Sequence, residues 1–251
     1  VHAKGKKLDS DVSLRSVALA TTGFTGADLS NLLNEAAIMA ARDNRPVLNM
    51  KDLNDAMMKI TAGPEKRSRV MNRKDLRETA IHEAGHAVAM YHLPTQDKVL
   101  SITIVPRGQA LGLTWSMPKE DSTHLTRNEM YERIVGLLGG RVAEALFLQD
   151  ISTGASNDIE RATKIAKKMI TRLGMSDVLG PRSFGTNQGE VFLGRDFSQN
   201  PDYSDATAAK IDAEIKKLSD EAAKRAEAVL KMNKAVLDKL AEELLARETL
   251  E

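Results

Sequence analysis

The stretch AIHEAGHAVA, residues 80–89, decides how the fold of this chain is interpreted. Small and apolar residues surround its two histidines and its glutamate, and no proline interrupts it. This pattern predicts a helix that is buried on nearly all sides. His82 and His86 are four residues apart, so both imidazoles leave the same face of that helix. Ionisable groups are costly to bury unless they are paired or bound to a metal, so the helix is a candidate metal site.

The order His82-Glu83-Ala84-Gly85-His86 matches the H-E-x-x-H pattern of zinc peptidases. Imidazole nitrogens are preferred zinc ligands, and we expect Glu83 to accept a proton from the attacking water without binding the metal. A bare match also occurs in ordinary helices, where two satisfied core histidines would explain it. The chain has no cysteine, so disulfides and thiolate ligands are excluded and any further ligand must be His, Asp or Glu.

Three side chains are candidates for the third ligand. His92 imitates a longer zinc pattern in which a glycine lets the chain leave the helix, but here that position is Ala89. On a continuous helix His92 lies about 240° round and about 9 Å along from His86, so it points elsewhere. Glu144 falls on an apolar helical face, and Asp158 stands where a further helix begins. Spacing alone does not decide between these two carboxylates.

Composition bounds the class of protein. The 251 residues include 36 basic and 35 acidic side chains, a balance that does not favour nucleic acid or a lipid surface as the main partner. The longest apolar runs fall far short of the roughly 20 residues that a membrane-spanning helix needs. The chain starts on a polar segment without Met, and we expect it to be a soluble piece of a longer protein.

The spacing of apolar residues divides the chain into three blocks. The helical spacing of apolar residues predicts a small helical unit at residues 1–62. Residues 63–72 are predicted to be a linker, because Gly, Pro and basic residues interrupt that spacing. Residues 73–251 predict a mostly helical domain with one β-hairpin. The pattern favours helices after Thr25, at 50–60, at 74–92, after the capping residue Thr126, at 159–173 and as a C-terminal pair, with strands at 100–105 and 111–115.

Seven segments carry a more specific signal. They are GFTGADL at 23–29, NEAA at 34–37, HEAGHA at 82–87, IVPRG at 104–108, LGGR at 138–141, STGASND at 152–158 and FLGRD at 192–196. In this order they resemble the FtsH family of membrane-anchored, ATP-dependent zinc metalloproteases, and the resemblance covers nearly the whole chain.

The resemblance implies a mainly α fold in which residues 1–62 are the helical lid subdomain of an AAA ATPase and residues 73–251 are the zinc metallopeptidase domain. It points to Asp158 as the third zinc ligand beside His82 and His86, with Glu83 catalytic. It also implies nucleotide contacts at His2, Gly26 and Ala27. The implied function is endoproteolysis of unfolded or misfolded polypeptides by a homo-hexameric ring with its zinc sites inside a chamber.

One departure from the family matters. The chain has no G-x-x-x-x-G-K-[ST] loop. Its Gly5-Lys6-Lys7 segment contains a Gly-Lys pair but lacks both the spacing and the hydroxyl residue of that motif. We therefore expect ATP to act only in the full-length parent, whose ATPase core and membrane anchor would precede this sequence. The parent is expected in the cell inner membrane, or an organelle membrane in a eukaryote, with this part facing the cytoplasm.

Alternative functions remain open on the sequence. The chain could be a zinc-bearing, non-catalytic oligomerisation module of an AAA complex, or a regulatory domain whose peptidase half is inert. An intact Glu83 favours the enzyme, because a purely structural zinc site needs no base. The strand at 111–115 either binds an extended substrate by strand addition or is an ordinary hairpin strand.

Overall fold

The computed structural model describes residues 1–66, 71–108, 110–117, 124–185 and 203–251. This part of the chain is mainly α, as the sequence predicts, with one small sheet. Its helices are α1 (Leu14–Ala20), α2 (Gly26–Arg42), α3 (Met50–Ala62), α4 (Arg73–Tyr91), α5 (Arg127–Phe147), α6 (Ser156–Thr171), α7 (Asp205–Met232) and α8 (Lys234–Arg247). Its strands are β1 (Lys98–Thr103), β2 (Leu113–Met117) and β3 (Thr249–Leu250).

Contacts divide the chain into two compact units. The first comprises Val1–Glu83, Asp97–Thr123 and Lys239–Glu251, and the second comprises Ala84–Gln96 and His124–Asp238. Helix α4 contributes residues to both.

Two capped helices build the N-terminal part of the first unit. Thr25 caps α2 and Asn49 caps α3, each in a reciprocal capping box with an aspartate three residues later. The second of these aspartates, Asp52, is buried and also pairs with Arg45 at 2.5 Å. Trp115 of β2 packs against the core of this part, which consists of Val17, Leu32, Leu33, Ala36, Leu48, Leu53, Ala56 and Met57.

The sheet has the order β2-β1-β3, and both pairings are antiparallel. The predicted hairpin is therefore present, with Ile102 opposite Thr114. Strand β3 was not predicted, because two residues after a helix are too short to show an alternating pattern. The turn after β1 is fixed by the buried Arg107, whose guanidinium lies 2.6 Å from the carboxylate of Glu65.

Helix α5 is the centre of the second unit and packs against both α6 and α7. It begins at the predicted capping box, in which Thr126 and Glu129 satisfy each other's backbone N–H groups. The shared core contains Leu93, Met130, Ile134, Val135, Leu138, Ala162, Ala166, Met169, Ala222 and Ala226. Small residues on α6 and α7 bring these helices close to α5.

Helices α4 and α5 touch backbone to backbone. A Cβ placed on Gly85 would lie 2.5 Å from the Cβ of Ala143 and 2.6 Å from the carbonyl oxygen of Gly139. Carbon atoms normally stay about 3.5 Å or more apart, so only glycine fits at position 85. This close approach places Gly85 and His86, the C-terminal half of the H-E-x-x-H motif, directly against α5.

Element boundaries differ from the prediction by a few residues. Helix α6 begins at Ser156 instead of residue 159, so Asp158 lies in its first turn. Residues 67–70 of the predicted linker, the FLGRD segment at 192–196 and most of the predicted loop at 185–205 lie outside the described residues. Within the described ranges, no helix is both long enough and apolar enough to cross a membrane.

Candidate metal centre

Helix α4 carries three ionisable side chains in its buried middle. His82, Glu83 and His86 have relative exposures of 8%, 6% and 8%. Their neighbours on all sides are small or apolar buried residues, from Ala80 to Ala89. The expectation that this helix is buried all round is met, so the three side chains must be satisfied by protein groups or by a bound ion.

His86 has a defined tautomer. Its Nδ1 lies 2.9 Å from the carbonyl oxygen of Gly136 on α5. A carbonyl only accepts, so Nδ1 carries the proton, and in the neutral ring Nε2 keeps its lone pair. A backbone carbonyl that orients one imidazole nitrogen so that the other can bind a metal is a recurrent feature of metal centres.

Asp158 reaches this nitrogen from the first turn of α6. Its Oδ2 is 3.4 Å from Nε2 of His86, and the Asp158 side chain is only 18% exposed. His82, His86 and Asp158 each offer one ligand atom, and these atoms all lie within 4.8 Å of one another. Two imidazoles and one carboxylate are the donor set of many catalytic zinc sites, so these residues fit a zinc ion and leave a position for water.

The other two candidate ligands are placed differently. Glu144 on α5 is 1% exposed, and its carboxylate accepts hydrogen bonds from Ser152, from the backbone N–H at 2.6 Å and from the hydroxyl at 3.1 Å. Ser152 in turn caps the short 3-10 turn that leads into α6. His92 is exposed at the end of α4, where its ring packs edge-on against Tyr91.

The surroundings of Glu83 were not predicted from the sequence. The Thr114 hydroxyl, on β2, donates to Oε2 of Glu83 at 2.7 Å and lies 3.2 Å from its backbone carbonyl oxygen. A Cβ on Gly112 would lie 2.7 Å from Oε1 of Glu83 and 2.8 Å from a methyl carbon of Thr79. The sequence predicted the strand that contains both residues, but no periodicity indicates which helix a strand faces.

The residues expected to contact nucleotide lie at the start of α2 or close to it. Gly26 is its first residue, and a Cβ there would lie 3.6 Å from Nε2 of His2. The structure thus brings His2 close to Gly26, and Ala27 follows in the same helical turn.

A buried H-E-x-x-H helix, with an aspartate from a second helix within ligand distance, is the arrangement of zinc-dependent metallopeptidases. The chain belongs to peptidase family M41, whose family model matches residues 69–251. A model of the AAA+ lid domain matches residues 11–55.

Curated relatives match along the entire chain. It is 53% identical over 250 residues to "ATP-dependent zinc metalloprotease FtsH 1" of Thermoanaerobacter sp. (strain X514), covering 100% of this chain and 41% of that protein. It is 48% identical over 252 residues to "ATP-dependent zinc metalloprotease FtsH" of Bacillus subtilis (strain 168), covering 100% of this chain and 40% of that protein. The chain therefore spans about two fifths of the length of these relatives.

Proposed function

We propose that this chain is a zinc-dependent endopeptidase, the proteolytic part of an ATP-driven protease that degrades unfolded or misfolded proteins. The observation that carries the proposal is the close grouping of His82, His86 and Asp158 beside Glu83. Membership of peptidase family M41 and relatives named ATP-dependent zinc metalloproteases support the same conclusion.

Each residue of the centre has a role in this proposal. His82, His86 and Asp158 hold the zinc ion, and the carbonyl of Gly136 keeps His86 in the metal-binding tautomer. When bound, zinc polarises the scissile carbonyl group and makes the attacking water more acidic. Glu83 accepts the water's proton on its carboxylate and passes it to the amide nitrogen that leaves. No covalent acyl-enzyme is required.

The β2 strand is the proposed binding surface for the substrate. Within the described sheet β2 lies at an edge, paired only with β1. An extended polypeptide can pair with such an edge through main-chain hydrogen bonds, which suits unfolded substrates of varied sequence. Thr114 of the same strand contacts Glu83, so a polypeptide bound along β2 would pass close to the proposed base.

The division of this chain into domains, and the assembly of the longer protein, are proposed by resemblance. Residues 1–62 would be the AAA lid subdomain, residues 63–72 the linker and residues 73–251 the peptidase domain, with His2, Gly26 and Ala27 near the nucleotide of the parent ATPase. The AAA+ lid match at residues 11–55 supports this division. We further propose a homo-hexamer held at a membrane by an anchor outside this sequence. Sedimentation and membrane fractionation of the full-length parent test these two proposals.

The substitution Glu83→Gln tests the proposed chemistry most economically. It removes the base but keeps the size of the side chain, so the variant should bind zinc like the wild type and lose nearly all cleavage of a flexible peptide. Glu78→Gln is the matched control, because Glu78 lies on the same helix, pairs with Lys74 at 3.5 Å and is not part of the metal group.

Two results would decide against this mechanism. Substantial cleavage by zinc-loaded Glu83→Gln would show that another group is the base. A zinc-loaded wild-type chain that cleaves no peptide would instead favour the non-catalytic oligomerisation module.

A further inference from the structure

The β1–β2 hairpin holds the carboxylate of Glu83, and this contact suggests a role that the metal ligands do not explain. Thr114 donates to Oε2 of Glu83 at 2.7 Å, the length of a strong hydrogen bond to a charged acceptor. The same hydroxyl lies 3.2 Å from the backbone carbonyl oxygen of Glu83. One side chain of β2 thus touches both ends of the proposed base.

Gly112 brings the hairpin close enough for this contact. A Cβ at this position would lie 2.7 Å from Oε1 and 2.8 Å from Cγ of Glu83. It would also lie 2.8 Å from a methyl carbon of Thr79, one turn earlier on α4. Any side chain at position 112 would therefore force the strand, Glu83 or Thr79 to shift, and a shift of the strand or of Glu83 would alter the bond from Thr114.

The hairpin itself is fixed at two points. Thr114 pairs across the sheet with Ile102, and the neighbouring Thr103 is held to the C-terminal strand by its hydroxyl, 2.8 Å from that of Thr249. Arg107 fastens the turn through its ion pair with Glu65. A hydroxyl presented by such a fixed strand can hold a carboxylate in one orientation without spending binding energy during the reaction.

We infer that Thr114 is a positioning residue that holds the Glu83 carboxylate in the orientation needed for proton transfer. This inference rests on the proposed peptidase function, because it assigns Glu83 as the base. Thr114 neither binds the metal nor exchanges a proton in this scheme; it acts through Glu83. Its loss should reduce the rate of the chemical step and leave substrate binding and metal binding largely unchanged.

The test uses the zinc-loaded chain and a flexible fluorogenic peptide. Thr114→Val removes the hydroxyl at nearly constant shape, and we expect kcat to fall about 10–100-fold with KM within about twofold of wild type. Thr114→Ser restores the hydroxyl and should recover kcat to within about threefold. Zinc content should remain one ion per chain in both variants.

Thr21→Val is the matched control for stability. It makes the same substitution at a buried threonine outside the hairpin, removes the bond from its hydroxyl to the carbonyl oxygen of Val17 at 2.8 Å, and leaves the Glu83 contact intact. We expect Thr21→Val to lower the melting temperature, because a buried hydrogen bond is lost, with kcat near wild type. If Thr114→Val is too unstable to assay, Thr114→Ala takes its place and the same outcomes decide.

A second measurement does not depend on activity. Crystal structures of zinc-loaded wild type and Thr114→Val should differ in the orientation of Glu83, with Oε2 displaced by about 1 Å or more. An unchanged Glu83 together with wild-type kcat in Thr114→Val would overturn the inference, as would a change confined to KM. If the zinc-loaded wild type is itself inactive, the proposed function fails, and the position of Glu83 alone then decides whether Thr114 orients it.

Discussion

Gly85→Ala tests the contact that carries the second half of the metal motif. The added Cβ would lie 2.5 Å from the Cβ of Ala143 and 2.6 Å from the carbonyl oxygen of Gly139. Normal separation is about 3.5 Å, so α4 and α5 must move apart by roughly 1 Å. Neither clashing atom can rotate away, which places the overpacking cost near 3 kcal/mol. Alanine regains about 1 kcal/mol of helix propensity, so we expect a net loss of about 2 kcal/mol.

Thermal unfolding measures this loss directly. For a chain of this size, 2 kcal/mol corresponds to a decrease in melting temperature of about 4–8 °C. The same displacement lengthens the bond from His86 to the carbonyl of Gly136, so zinc affinity should fall as well. Leu53→Ala is the control for general destabilisation, because Leu53 is buried in a core cluster that contains none of the proposed metal ligands; it should lower stability by about 2–5 kcal/mol and leave zinc affinity unchanged. A Gly85→Ala chain with wild-type stability and zinc affinity would refute this helix contact.

Two further predictions concern charged side chains. Asp158→Ala should lower zinc affinity by at least tenfold. Glu144→Gln should keep the metal and impair cleavage less, because the Glu144 carboxylate accepts hydrogen bonds from Ser152. Zinc contents of the two variants are measured side by side, and loss of the metal in Glu144→Gln alone would reverse this assignment. Hydrogen bonding to Arg45 lowers the pKa of Asp52. The ionised Asp52 carboxylate therefore stabilises the folded chain above about pH 4, and this stabilisation is lost as the pH falls through the lowered pKa. Asp52→Asn should therefore lower the free energy of unfolding in urea by about 1–2 kcal/mol at pH 7 and by progressively less below pH 4. An equal loss at every pH would contradict this reasoning.

The helices and the paired histidines of the metal centre could be predicted from the sequence, because both depend on the spacing of residues close together in the chain. The turn of helix between His82 and His86 and the capping box at Thr126 are local patterns, and the structure contains both elements. The choice between Asp158 and Glu144 was not local, because it depends on how the segment after α5 turns into α6. Spacing left these two carboxylates equivalent, and only the family resemblance favoured Asp158.

Contacts between distant segments escaped sequence analysis for the same reason. Thr114 is an unremarkable strand residue in the sequence, yet its hydroxyl reaches Glu83, which lies 31 positions earlier. Gly112 and Gly85 were visible only as glycines in otherwise regular segments, and such glycines often indicate a close backbone approach. The approaching partner in each case is set by tertiary packing, which no periodicity encodes.

Removal and return of the metal test the central claim most directly. The purified chain is assayed with a flexible peptide as isolated, after dialysis against a chelator, and after stepwise addition of zinc. We predict no cleavage by the metal-free chain and recovery that saturates at one zinc ion per chain, because His82, His86 and Asp158 are the proposed ligands of one ion. Cleavage that continues unchanged in the metal-free chain would contradict the account.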